Sequence, residues 1–311
     1  MNAVCGQRRA PPQAMVEQVR ARPLLGTIVE IAATGSVTQL VRVAVERAFE
    51  AVAMVHGLMS YQDAESEVSC MNRTASRIPV KVSDHTWHVL QAAQQLSEAS
   101  DGLFDITVAP TLTRLGFLPK HRDFPKADRT GNWRHVALLP GNQVRFARNL
   151  RIDLSGIAKG YAVDLAIQVL KSFGMVSGRI NAGGDMRVFG ENKQSIHVRL
   201  PDAPARSIRL TELACGAVAT SAGYYASRSY KGEQVTPLVN PLTRTACKVG
   251  CSVTVLAEAC MIADALTKIV HVSPARANAV LDSFNARALI VENDLDTDGY
   301  KVFDSRKINY G

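Results

Sequence analysis

Apolar positions along this chain recur at two periods. From Val37 to Met59, residues Leu40, Val41, Ala44, Val45, Ala48, Phe49, Val52 and Val55 keep the three- and four-residue spacing of one helix face. The same spacing puts Val89, Leu90, Ala93 and Leu96 on a second helix, capped by Asp84 and ending before Gly102. A third helix is predicted over Ile157–Phe173, after Ser155-Gly156, and a fourth over Glu258–Val270. Elsewhere the period falls towards two. Thr27–Ala32, Gly178–Asn181, Met186–Phe189, Ile196–Leu200, Ser207–Leu210, Ala217–Thr220, Ser252–Ala257, Ala288–Glu292 and Tyr300–Phe303 read as short strands. Strands and helices mix without strict βαβ alternation. The pattern therefore predicts an α+β fold: a single domain of mainly antiparallel sheet packed with helices, spanning 23–311. Residues 1–22, basic and carrying Pro11 and Pro12, read as a flexible leader.

With 311 residues, 47% hydrophobic and 21% charged, the chain can build a sizeable core, and collagen-like, disordered and disulfide-scaffold classes are excluded. No run approaches the roughly 18 uncharged apolar residues of a membrane helix, so no membrane span is expected. The opening residues lack the apolar stretch of a secretory signal. A cytoplasmic location is the expectation as the sequence is written, and a periplasmic one if an upstream segment is missing. The six cysteines are scattered with no C-x-x-C pair, which suits small hydrophobes in a reducing compartment better than a metal site. The net charge of +8 is concentrated: between Arg114 and Arg151 stand nine Lys/Arg and two acidic residues. That stretch has neither interleaved exposed aromatics nor a nucleic-acid module, so no nucleic-acid partner is expected. It reads as a solvated loop region, or functionally as a steering field for a phosphorylated ligand.

Five segments interrupt the amphipathic pattern. In Asp101–Pro110 (DGLFDITVAP), Asp105 and Thr107 can orient a ligand or cap a turn, with capping favoured. In Asp153–Asp164 (DLSGIAKGYAVD), Ser155 and Gly156 open a helix whose free N–H groups favour anions. Lys159 follows, and Gly160 inside the helix implies close approach by another helix or by a cofactor. Asn181–Asp185 (NAGGD) lets the backbone approach a ligand, though alone it is a hairpin turn. Val218–Tyr224 (VATSAGY) supplies small hydroxyls. Finally, Asp264 sits on an apolar helix with Thr267 at i+3 and Lys268 at i+4. Carboxylate plus hydroxyl suits Mg²⁺, and a salt bridge to Lys268 is the equally weighted alternative.

In this order the segments resemble the ApbE family, the FAD:protein FMN transferases, over roughly Pro23 to Val272. LGT at Leu25–Thr27 and MSYQDAESEVSCMN at Met59–Asn72 belong to the same series, as does SVTVLAEACMIADALTK at Ser252–Lys268. The resemblance implies a Mg²⁺-dependent site that takes FAD as substrate and moves FMN to a Thr or Ser hydroxyl of an acceptor protein, releasing AMP. Carried over residue by residue, Leu25, Tyr61, Leu103, Phe104 and Asp105 would contact the flavin nucleotide, with Lys159 near its phosphates. Asn181, Gly183, Gly184, Asp185, Thr220 and Ser221 would line the same cleft. The Ala162 carbonyl, Asp264 and Thr267 would hold the metal. The chain also departs from the family. Where members carry His-x-x-Asp-Pro-Arg-Thr-Gly, it reads Pro237-Leu-Val-Asn-Pro-Leu-Thr-Arg244, so the histidine falls on Pro237. Asp185 is the first candidate to replace that base and His197 the second. Many members place a Thr four residues after the metal Asp, where this chain has Lys268, which either replaces metal charge or salt-bridges Asp264. A non-catalytic flavin-binding or delivery protein and a Mg²⁺-dependent FAD pyrophosphatase are the alternative readings.

Overall fold

Strands β1 (Val16–Leu24) and β2 (Thr27–Gly35) form an antiparallel hairpin in the computed structural model, which describes residues 14–191, 193–199, 206–247, 249–293 and 300–305. Leu25 (φ 56°) and Gly26 (φ 71°) make its two-residue turn, with both residues left-handed as a tight hairpin requires. Residues 16–22, read from the sequence as leader, are thus most of β1; of the other leader positions, 1–13 lie outside the described residues. The misreading has a physical source. VEQVRAR is too polar for a core strand, but β1 is a sheet edge, where charged residues are tolerated. Arg20 and Arg22 reach Glu46 at 3.2 and 2.6 Å and tie this edge to the helix that follows.

That helix, α1 (Thr38–Met59), buries Val41, Ala44, Val45, Ala48, Phe49, Val52, Val55 and Met59, whereas Leu40 is exposed at the rim of the stripe. Next come α2 (Glu67–Thr74), β3 (Val80–Lys81) and α3 (Asp84–Ala99). Ser83, not Asp84, caps α3, its hydroxyl accepting from the Thr86 N–H. A single 3-10 turn over Ile106–Val108 leads into α4 (Ala109–Arg114), and β4 (Val136–Leu139) and β5 (Gln143–Phe146) complete a small sheet ordered β3-β5-β4. Helix α5 (Ala158–Ser172) precedes the hairpin β6 (Ser177–Ala182) and β7 (Asp185–Phe189). A separate ribbon pairs β8 (Gln194–Arg199) with β9 (Ser207–Leu213); Leu200, the last residue of the predicted strand there, is outside the described residues. Then follow β10 (Gly216–Ala222), the short pairs β11 (Arg228–Tyr230) with β12 (Glu233–Val235) and β13 (Val239–Asn240) with β14 (Thr245–Ala246), and β15 (Cys251–Ala257). Helices α6 (Cys260–Val272) and α7 (Pro274–Ser283) lead to β16 (Arg287–Asn293) and β17 (Tyr300–Asp304).

The main sheet has eight strands in the order β1-β2-β6-β7-β10-β15-β16-β17, every neighbouring pair antiparallel. The α+β expectation holds. Helices α1, α5 and α6 pack together against it, and one continuous apolar cluster joins them to α3 and the small sheet. The α5–α6 crossing matters most for the site. A Cβ on Gly160 would stand 2.3 Å from the Cys260 carbonyl oxygen and 2.7 Å from the Met261 Cα. The close approach that Gly160 implied is therefore made by another helix. Asp164, one turn along α5, accepts the Cys260 and Met261 N–H groups, both at 2.9 Å, and so caps α6. Arg187 of β7 holds the same carboxylate at 2.7 Å.

Candidate active site

A cleft of about 910 Å³ opens where the β6–β7 turn, the end of β10 and the N-terminus of α5 meet the β8–β9 ribbon and the loop around Pro237. It falls in the size range of small-molecule and cofactor sites. Its wall includes Leu103, Phe104 and Asp105 from the turn before α4, Ser155, Gly156 and Lys159 from the start of α5, and Asn181, Gly183 and Gly184 from the β6–β7 turn. Thr220, Ser221, His197, Pro237 and Lys268 complete the polar and terminal positions. Segments far apart in the chain thus converge as the motif series implies.

The start of α5 faces this cleft, and Ile157 at its N-cap position has no side-chain oxygen to accept a helix N–H. Ser155 is not free, since its hydroxyl and N–H both go to Asp153. Within the first turn Ala158 N–H donates to the Leu154 carbonyl at 2.8 Å and Gly160 N–H to Asp264 Oδ2 at 3.2 Å, so it is the positive end of the helix dipole beside Gly156 that favours an anion at this wall. Two ammonium groups stand by. Lys159 pairs with Asp185, and Lys268 pairs with Asp264. Both carboxylates are fully or almost fully buried. Burial pulls the Lys159 pKa down, but Asp185 and Asp264 more than reverse this, and Lys159 is held well above its ordinary value. Burial likewise works against the Asp264 carboxylate, yet Lys159, Lys268 and the Gly160 N–H at 3.2 Å keep its pKa below the ordinary range. Lys159 is therefore a cation at neutral pH.

The remaining expected residues divide. Asp105 does cap the 3-10 turn, accepting from Thr107 N–H at 2.7 Å and Trp133 N–H at 3.2 Å, while also facing the cleft. Burial pushes its carboxyl pKa up. Gly183 (φ 65°) closely approaches Thr27, whose Oγ1 would lie 2.5 Å from an added Cβ; the Asn181 carboxamide accepts the Gly184 N–H at 3.0 Å. Those glycines shape the cleft floor through a protein contact. Thr220 bonds Thr254 at 2.9 Å and Ser221 bonds Thr267 at 2.7 Å.

Three expected contacts are not on the wall. Tyr61 is 2% exposed, its hydroxyl 3.5 Å from Thr113 and its ring edge-on to Phe124, so it serves the core against α4. Leu25 makes the β1–β2 turn and packs on the core beside the cleft-lining Thr27. Asp185 is 1% exposed and directed at Lys159, which suits positioning that lysine and not taking a proton from an incoming hydroxyl. His197 does line the cleft. Sequence reasoning also passed over Thr27, Glu30 and Met186 as wall residues, and Asp164 as the α6 cap. The spacing of Asp164 from Gly160 was the available signal, but its partner lies 96 residues away.

The expected metal site does not fit these residues as arranged. Mg²⁺ requires several oxygen donors with free lone pairs directed at one point. Lys268 holds Asp264 Oδ1 and the Gly160 N–H holds Oδ2. Thr267 donates its hydroxyl to the Asp264 carbonyl at 2.7 Å. Ala162 lies inside α5, where carbonyls accept from the residue four further on. Among the described residues no three His, Cys, Asp or Glu side chains cluster as metal ligands. The basic Arg114–Arg151 stretch supplies no cleft residue either; Arg151, Arg148 and Arg134 are spent on Pro125, Asp128 and Asp101.

An eight-stranded antiparallel sheet with helices packed against it and a cleft at the start of α5 define an α+β protein. The chain belongs to the ApbE family, which it matches over residues 25–290. It is 31% identical over 267 residues to an FAD:protein FMN transferase of Vibrio cholerae, covering 81% of this chain and 79% of that one. Among solved structures, the ApbE protein of Thermotoga maritima superposes with a TM-score of 0.79 at 28% identity, covering 92% of this chain and 96% of that one. The flavin transferase ApbE of Vibrio cholerae superposes at 0.76 and 27%, covering 94% and 97%. No helix among the described residues is long and apolar enough to cross a membrane.

Proposed function

We propose that this chain binds FAD in the cleft and transfers its FMN half to a Ser or Thr hydroxyl of an acceptor protein, releasing AMP. The observation that carries the reading is the pair of cations, Lys159 and Lys268, set beside the start of α5 in a cleft of about 910 Å³. In this reading the diphosphate lies against the two ammonium groups and the α5 N–H groups. Leu103 and Phe104 offer apolar surface to the flavin ring, and Asn181, Gly183, Gly184, Thr220 and Ser221 enclose it. The acceptor oxygen attacks the FMN-side phosphorus, the bridging P–O bond breaks, and AMP departs with the electron pair. His197 receives the hydroxyl proton. Fixed cations facing a developing negative charge stabilise such a transfer without reorganising during it. Asp185 acts by holding Lys159.

A second reading rests on Pro237, which lines the cleft where the family carries a histidine. Proline cannot accept a proton, and general-base help is worth typically about 10²–10⁴-fold. On that reading the protein holds or delivers flavin without transferring it. One experiment separates the readings. Purified protein, FAD and a proven acceptor domain are incubated; covalent flavin fluorescence is read on a denaturing gel, and AMP is measured in parallel. A fluorescent acceptor with acceptor-dependent AMP supports transfer. FAD binding without turnover supports the holding role, and AMP plus free FMN without acceptor would mean hydrolysis.

A further inference from the structure

We infer that Lys268 is the resident cation of the Asp264 position and that it excludes a divalent metal from it. The inference rests in part on the flavin reading above, since it names what neutralises the bound diphosphate.

Three observations carry it. The Lys268 ammonium pairs with Asp264 Oδ1 and also donates to the Asp264 carbonyl at 2.9 Å, so it holds both oxygens of that residue that face it. The tether is short and regular: Lys268 follows Asp264 by four residues on α6, where the two side chains are neighbours on one face. Its stem runs past Gly156, whose added Cβ would meet Lys268 Cε at 3.5 Å, and the side chain lines the cleft. The lysine thus reaches from the α6 side to the start of α5, its stem lying alongside Gly156.

The charges agree. Lys159 and Lys268 pair with the buried Asp185 and Asp264, while Asp153, a third buried carboxyl on this wall that also feels Lys268, is pushed by burial towards its neutral form. A divalent ion at Asp264 would have to displace an ammonium that is covalently anchored one helical turn away. It would also have to sit beside that ammonium in a region of low polarity, where like charges repel strongly. Lysine supplies a single charge on a flexible stem and can turn towards a phosphate while its carboxylate partner holds it. Binding of an anionic ligand here is accordingly independent of metal, and the neutralising charge is encoded in the chain.

The test uses Mn²⁺, a hard divalent ion with an electron paramagnetic resonance signal, on flavin-free wild type, Asp264→Ala, Lys268→Thr, Lys268→Met and Lys268→Thr/Asp264→Ala. The folded state of each is checked by circular dichroism. Wild type is expected to show no site tighter than about 1 mM, and Lys268→Thr to gain one site at least about tenfold tighter that the double variant lacks. Lys268→Met, which keeps the stem and removes only the charge, is expected to open the same site. FAD titrations run alongside in EDTA and in Mg²⁺. Wild-type affinity should agree within about twofold between the buffers, whereas Lys268→Thr should lose about tenfold in EDTA and recover in Mg²⁺. A wild-type Mn²⁺ site that Asp264→Ala removes would overturn the inference, as would lysine variants that fold but gain no site. Absence of FAD binding in both buffers would refute the flavin reading, while the Mn²⁺ titration decides Lys268 by itself.

Discussion

Replacing Gly160 with alanine tests whether the α5–α6 crossing holds the site together. In an exposed helix interior this change stabilises by about 1 kcal/mol. Here the new Cβ would stand 2.3 Å from the Cys260 carbonyl oxygen and 2.7 Å from the Met261 Cα, where ordinary contact begins at 3.4 Å. The obstacle is backbone at the capped start of α6, so no rotamer change relieves it, and the helices must part by about 1 Å. Overpacking of this kind costs about 1–3 kcal/mol, and backbone partners place it at the upper end. Parting the helices also stretches the 3.2 Å bond from Gly160 N–H to Asp264, leaving a buried carboxylate short of a donor at a cost of about 1–3 kcal/mol. After the propensity gain, the net loss is about 3–5 kcal/mol, or a fall of about 5–8 °C in Tm for a chain of this size. Gly57 near the end of α1 is the internal control, because an added Cβ there meets nothing within 4 Å. Gly57→Ala should hold or raise Tm. Thermal unfolding of wild type and both variants, followed by circular dichroism at pH 7, decides the matter. A Gly160→Ala protein that melts at or above wild type would show that the crossing is not tight and that the Asp264 geometry does not depend on it.

Asp164→Ala removes the acceptor for two N–H groups of α6 and leaves Arg187 unpaired, so urea titration should show a loss of about 2–4 kcal/mol. His271 gives a pH prediction. Burial, reinforced by Lys268, lowers its pKa to about 4, and its Nε2–H donates to the Ser221 carbonyl at 2.9 Å. The fold holds the neutral ring, while the unfolded chain takes up a proton below pH 6.5; the stability is therefore present above 6.5 and is lost as pH falls towards 4. Between pH 7 and 4 wild type should lose about 3 kcal/mol that His271→Gln does not. The difference between the two proteins is the quantity to measure, because burial raises the pKa of Asp105 and Asp153 and these act in the opposite direction. Parallel curves for the two proteins would contradict the assignment.

Local pattern was enough for what a segment does with its own neighbours. The stripe of α1, the strand–helix passage from Ser252 into α6 and the antiparallel, mixed character of the fold were all legible, because periodicity records which face of an element is dry. The motif series was legible too, as an ordered set of polar interruptions. Elements that borrow their stability were not. Strand β1 is polar because it is an edge, and the two-residue β3 exists only because β5 lies beside it. The site shows the same division. Lys268 at i+4 from Asp264 was visible as a possible pair, but that the lysine answers the carboxylate was decided by the packed arrangement, in which its ammonium reaches Asp264 Oδ1 and its stem lies alongside Gly156. Asp185 looked like a base until β7 carried it inside against Lys159. Gly160 announced a close contact without naming the partner, which stands 100 residues on at Cys260. Sequence alone therefore determined the class of fold and the family. Tertiary structure decided which of the motif residues face the cleft and which cation answers Asp264, since burial and charge pairing arise between segments that no local pattern connects.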